Sequence, residues 1–87
     1  MAYQVKILPA ALQQLGAIPK PDQKRIKGRI DALAADPWPA GVKRLRGKME
    51  LLRIRSGNYR IVYTVERARL IILIIKVGHR REVYRHL

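Results

Sequence analysis

Apolar and polar residues alternate from the start of the chain: Tyr3, Val5 and Ile7 fall on one side of an extended backbone, Gln4 and Lys6 on the other. A period of two predicts a half-buried strand. Pro9 then suits the first turn of a helix. Leu8, Leu12 and Leu15 recur at helical spacing until Gly16 and Pro19 end the segment. Pro21 opens a second helix. Its Ile26, Ile30 and Leu33 form an i, i+4, i+7 stripe, while Lys24, Arg25, Lys27 and Arg29 lie mostly outside it. The stretch DPWPAG, Asp36 to Gly41, terminates this helix through two prolines and a glycine. Trp38 within it reads as a packing residue between helix and sheet rather than as a platform for a base.

The second half returns to a period of two. Leu52 and Ile54 alternate with Leu51, Arg53 and Arg55, and Ser56 to Asn58 form a turn. Tyr59, Ile61, Tyr63 and Val65 then alternate with Arg60, Val62, Thr64 and Glu66, and RAR at Arg67 to Arg69 makes a charged turn. The run LIILIIKV lacks polar alternation, so both of its faces are expected to be covered, as in the middle of a sheet. Gly78 breaks it. The predicted order β-α-α-β-β-β describes an α+β domain: an antiparallel sheet with an N-terminal helix hairpin packed on one face.

Length and composition bound this reading. At 87 residues, 48% of them apolar, the chain is one domain, residues 1–87, with enough apolar side chains for a single core. It has no cysteine, which excludes disulfides and thiolate chemistry and fits a reducing cytoplasm. The first residues show no basic segment leading into a long apolar run, and Leu70 to Ile75 is too short to span a bilayer as a helix. The expected location is the cytoplasm, away from membranes.

Charge changes the picture most. The formal net charge is +13. Residues 1–42 hold six basic and three acidic side chains, whereas residues 43–87 hold thirteen basic and three acidic, ten of the thirteen being arginine. So basic a second half points to a polyanionic partner, because each neutralised phosphate releases counterions and arginine suits bidentate phosphate contacts.

Strand parity locates that charge. Side chains two apart share a face. With Tyr59, Ile61, Tyr63 and Val65 under the helices, Arg60 points the other way, and Arg53 and Arg55 lie opposite Leu52 and Ile54. Lys76 has the parity of Leu70, Ile72 and Ile74, and Arg80 stands four further on. Aligning the apolar sides gathers Arg53, Arg55, Arg60, Lys76 and Arg80 on one open face. Clustered cations repel one another, and a fold tolerates them more readily where an anion will sit.

No metal constellation surrounds His79 or His86, no glycine-rich phosphate loop is present, and Ser56 is the only serine. Positive charge, a tyrosine and a histidine remain. They suffice in kind for transesterification of RNA, where the substrate's own 2′-hydroxyl is the nucleophile and the protein orients the strand and stabilises the charged transition state. The proton shuttle is the weak element, since arginine is a poor acid or base.

At these residues a family resemblance emerges. The stretches KRLRG, LLRIRSGNYRIVYTVE and IILIIKVGHRREVY, following the AYQVKI strand and the helix hairpin, together resemble the RelE toxins of the RelE/ParE superfamily of toxin–antitoxin systems. The resemblance covers nearly the whole chain and rests on the ordered combination. It implies a ribosome-dependent mRNA endonuclease that cuts in the A site, leaves a 2′,3′-cyclic phosphate and inhibits translation. By motif, Arg53 supports proton transfer and charge, Arg60 binds the phosphate, Arg80 acts on the scissile phosphate and leaving group, and Tyr84 stacks on or orients the nucleotide. Arg55 matches an auxiliary basic position; Lys43, Arg46, Lys76, His79 and Arg81 complete the RNA-binding set. The implied partners are a RelB-like antitoxin, forming a hetero-oligomer, and the ribosome with its mRNA; no cofactor and no metal are implied. The chain departs from the family pattern at Leu51, where a second lysine is usual, and at His79, which replaces a basic residue and is a candidate for the proton-shuttling role. The spacing from Arg80 to Tyr84 is also short. Two other readings compete: a ParE-like toxin that binds and poisons DNA gyrase without nuclease activity, and a small structural RNA-binding protein.

Overall fold

The computed structural model describes residues 2–45 and 50–79. The elements run β1 (Gln4–Ile7), α1 (Pro9–Gly16), α2 (Lys20–Ala32), β2 (Lys43–Leu45), β3 (Leu51–Ser56), β4 (Tyr59–Glu66) and β5 (Ile71–His79). The strands form one sheet in the order β1-β5-β4-β3-β2. The α+β architecture with a helix hairpin on one face is as the pattern predicts. Two details differ. The sheet is mixed, because β1 pairs with β5 in parallel. It also has a fifth strand, β2, antiparallel to β3; its three residues are too few for a period of two to register.

The core lies between the hairpin and one sheet face. Ile26, Ile30 and Leu33, the predicted stripe, are at most 1% exposed, and with Ala11 and Leu15 they pack on Leu52, Ile54, Ile61, Tyr63, Ile72, Ile74 and Val77. Each large apolar side chain removed from water contributes roughly 1.5–3 kcal/mol, and in a chain this short nearly all of that comes from this single layer. Leu12 is the exception in its stripe. It is 57% exposed, turned toward a groove beside β1 rather than into the core.

A β-bulge sets which side chains face away from the helices. Val62 pairs with Lys76 but Tyr63 pairs with Ile74, so Ile75 is an extra residue on β5. A bulge inverts the alternation on its own strand. Ile72 and Ile74 point into the core before it and Val77 after it, and Lys76 is carried to the opposite face. Simple parity groups Lys76 with Ile72 and Ile74; the bulge separates them. The β3–β4 hairpin closes through Gly57 and Asn58, with Gly57 at φ +60°, a left-handed conformation that glycine adopts without steric cost.

Tyr63 ties this core to the segment after α2. Its side chain is fully buried, and its hydroxyl donates to the Pro37 carbonyl at 2.7 Å. Burial, and secondarily the Asp36 carboxylate, push the phenol up to about 12 against a weaker opposing effect of Arg29. The folded state therefore holds the proton more tightly than the unfolded chain does. This contribution is complete below pH 10 and is lost as pH rises from there toward 12. Alkaline melts should show a steeper loss of stability for the parent than for Tyr63→Phe across that window, while Tyr63→Phe should be less stable at neutral pH by about 1–3 kcal/mol because the Pro37 carbonyl loses its donor.

Candidate nucleic-acid interface

The sheet face turned away from the helices carries the charge. Cross-strand pairing sets Lys43, Arg53, Val62 and Lys76 side by side in one row across β2, β3, β4 and β5. Two residues along, Arg55 stands directly opposite Arg60, which in turn faces Gly78. Directly paired residues share a face, with strands about 4.8 Å apart and rows about 7 Å apart. Five cations, Lys43, Arg53, Arg55, Arg60 and Lys76, thus surround Val62, and neither row contains an acidic residue. Gly78 adds no side chain to this row.

Arg53 is the unusual member. Only 4% of it is exposed, and its Nε and Nη1 have no hydrogen-bond partner among the described residues. A buried guanidinium without partners is costly. The charge-charge balance worsens it, since Lys43 is its direct cross-strand neighbour and Arg55 lies two residues along on the same face. Three exposed ion pairs lie off this row: Arg25–Asp22, Arg44–Glu50 and Arg69–Glu66. Phosphate oxygens would supply the charge and the acceptors for the Arg53 guanidinium.

Of the residues singled out from sequence, the sheet brings together Lys43, Arg53, Arg55, Arg60 and Lys76. His79 is placed differently. It pairs with Tyr59, on the helix-side face, and its ring meets the Tyr59 ring edge-on at 5.4 Å. It is exposed at the end of β5, one residue past Gly78. Arg46, Arg80, Arg81 and Tyr84 lie outside the described residues. Leu51, where the family resemblance leads one to expect a lysine, pairs with Leu45 and leaves that corner of the face apolar. Sequence reasoning missed how Lys43 is positioned, because that depends on β2, and it missed the burial of Arg53, which no periodicity reports.

A second surface lies on the other side of the molecule. A groove of about 610 Å³ runs between β1 and the helices, floored by Val5, Ile7, Leu12, Leu15 and Ile30 and bordered by Lys20, Gln23, Lys24, Lys27 and Asp31. It pairs an apolar floor with a rim of three lysines against one carboxylate.

Comparison with known proteins agrees with this architecture. Residues 5–84 match the model of the ParE toxin family of type II toxin–antitoxin systems. The RelE1 protein of Methanocaldococcus jannaschii is 33% identical over 89 residues, spanning 99% of both chains. Among solved structures, RelE in the archaeal RelE–RelB complex from Pyrococcus horikoshii superposes with a TM-score of 0.82 at 32% identity, covering 93% of this chain and 98% of that one. A variant of Escherichia coli RelE in the free state superposes with a TM-score of 0.76 at 26% identity, covering 97% and 92%. The chain belongs to the RelE/ParE superfamily of toxins of type II toxin–antitoxin systems. Within it, the Methanocaldococcus relative and the Pyrococcus and Escherichia coli structures are RelE proteins, and the chain is a RelE-like toxin.

The unpartnered guanidinium gives a direct test. Arg53→Met keeps the length of the side chain and removes the buried charge, so it should leave stability unchanged or raise it by about 1–4 kcal/mol. Inorganic phosphate should raise the melting temperature of the parent and move that of Arg53→Met much less. Equal phosphate shifts in thermal melts of the two proteins would remove Arg53 from the anion site.

Proposed function

We propose that this toxin is a ribosome-dependent mRNA endonuclease. The observation that supports it most is the row of cations around a buried Arg53 whose Nε and Nη1 have no hydrogen-bond partner among the described residues. Cleavage requires the 2′-oxygen to attack the adjacent phosphorus as the bond to the 5′-oxygen breaks. The products are a 2′,3′-cyclic phosphate and a 5′-hydroxyl; the 2′-hydroxyl gives up a proton and the departing oxygen gains one. Negative charge grows on the phosphoryl oxygens along the way. Arg53 and Arg60, on neighbouring strands, are the groups assigned to stabilise it, with Arg55, Lys43 and Lys76 holding the flanking phosphates. Arg80 acts on the leaving oxygen and Tyr84 orients the nucleotide in the same proposal. His79 is the candidate for moving protons; it stands at the end of β5, one residue along from Gly78, with its side chain against Tyr59 on the helix-side face. Dependence on the ribosome follows from how little acid–base chemistry this set contains: the geometry of the codon must be imposed from outside.

The partner proposed for the groove is an antitoxin. The Pyrococcus RelE was solved with RelB, and a segment that is apolar on one side and acidic on the other fits a floor of Val5, Ile7 and Leu12 rimmed by lysines. The complex would occur in the cytoplasm, where the ribosomes are.

Two measurements check these readings. Purified toxin should cut mRNA on programmed ribosomes and cut naked RNA poorly, and Arg60→Ala should slow single-turnover cleavage roughly a hundredfold with little change in melting temperature. The matched family model is described by its ParE members, so gyrase-dependent DNA breaks with intact mRNA are the result that would replace this reading with a gyrase poison. For the partner, Lys20→Glu combined with Lys24→Glu should weaken the complex with the cognate antitoxin by about tenfold or more, mostly through slower association and with a reduced dependence on salt.

A further inference from the structure

The end of the molecule opposite the Arg55–Arg60 row carries an aromatic cluster that the proposed chemistry does not use. Trp38 lies in the segment between α2 and β2, where sequence reasoning places it in the packing between helix and sheet. It is instead 40% exposed. The Arg67 guanidinium, from the β4–β5 turn, sits over its ring at 4.8 Å from the centroid. Tyr3, just before β1, meets it edge-on with ring centroids 6.1 Å apart.

The cluster is built rather than incidental. Pro37 and Pro39 bracket Trp38 and restrict its backbone. The Pro37 carbonyl is bonded to the buried Tyr63 hydroxyl at 2.7 Å, and the Trp38 amide donates to Asp36 Oδ1 at 3.1 Å. Tyr3 is fixed by its own amide, which donates to the Ala34 carbonyl at 2.8 Å. Three segments distant in sequence thus hold an indole at the surface with a cation stacked on it. Trp38 is not among the side chains of the core or those packed against it, although Tyr3 is. Arg69, in the same turn as Arg67, adds a second exposed cation beside its ion pair with Glu66.

We infer that Trp38, Tyr3 and Arg67 form a second RNA contact, remote from the cleavage face, that stacks an unpaired base. Stacked aromatic and guanidinium planes are how proteins take hold of splayed bases without reading sequence. The charge of the chain, +13, favours a polyanion over a neutral or basic peptide at a surface with Arg67 and Arg69 at its border, and the planar stack is suited to a base. A toxin held at two points on RNA, one at each end of its sheet, is fixed in orientation as well as in place. This inference rests on the reading of the chain as acting on RNA.

Trp38 is the only tryptophan, so its fluorescence reports this site alone. The probe is an eight-nucleotide 2′-O-methyl RNA, which lacks the nucleophile and cannot be cut, carrying a terminal dye for anisotropy. Base stacking predicts quenching of Trp38 emission over the same concentrations at which anisotropy rises, more strongly with an adenine-rich than a uracil-rich oligomer. The quenching should persist in Arg60→Ala. Trp38→Ala and Arg67→Gln should each weaken RNA binding about tenfold without altering anisotropy-detected binding to a preference for another sequence. Binding with unchanged Trp38 emission overturns the stacking site and leaves the RNA reading standing. No binding of either oligomer overturns both. Quenching by the antitoxin but not by RNA makes the cluster a protein contact and also overturns the inference.

Discussion

Everything in this domain depends on a sheet that has one face to bury and one core to bury it in. The helix stripe of Ile26, Ile30 and Leu33 meets Ile54, Ile61 and Tyr63 on that face, and the apolar requirement of the chain is met there. The other face is released from packing and can be loaded with cations that would be intolerable in a two-sided core. The bulge at Ile75 is what keeps the division clean on β5: Ile72, Ile74 and Val77 all reach the core, and Lys76 does not have to. Packing and function are therefore arranged through a single irregularity in one central strand.

The same division explains the opposite demands placed on Arg53. As a member of a strand it is flanked by Leu52 and Ile54 in the core and helps nothing there. As a member of the open face it is almost wholly covered, and its Nε and Nη1 have no hydrogen-bonding partner among the described residues. A residue that weakens the resting protein is retained most readily where its unsatisfied donors are used by something that binds. Clusters of this kind trade stability for readiness.

Much of this was legible in the sequence. The period of two marked β1, β3 and β4, and the i, i+4, i+7 stripe of α2 named its three buried residues. Alternation around Arg53, Arg55 and Arg60 put them on one face, as the strand pairing has them. What was not legible has physical reasons. β2 is too short to show a period and forms because β3 offers it an edge. The parallel pairing of β1 with β5 joins residues more than sixty positions apart, as in Gln4 with Ile71, and no local pattern encodes it. The bulge inverts parity without any distinctive residue, Ile75 being one isoleucine among several. His79 falls beyond that bulge, and its place beside Tyr59 follows from the inverted register. Trp38 was assigned to packing because tryptophan is usually buried; the prolines on either side were read as helix breakers, whereas they also hold it outward.

One hydrogen bond at the sheet margin carries a further consequence. β1 pairs only with Gln4-to-Ile7 partners, Ile71 to Ile74, so the far half of β5 extends past its neighbour. There the Val77 amide donates to the Gln14 side chain of α1 at 2.9 Å, and α1 is itself secured by the Gln23 amide on the Leu15 carbonyl. A helix side chain thus occupies a position where a strand would otherwise continue. Should α1 lift, the edge of β5 from Ile75 to His79 would offer its free backbone groups to any second chain, the geometry from which strand-to-strand association starts. Resistance to such association in this small protein is accordingly a property of how firmly α1 is held down.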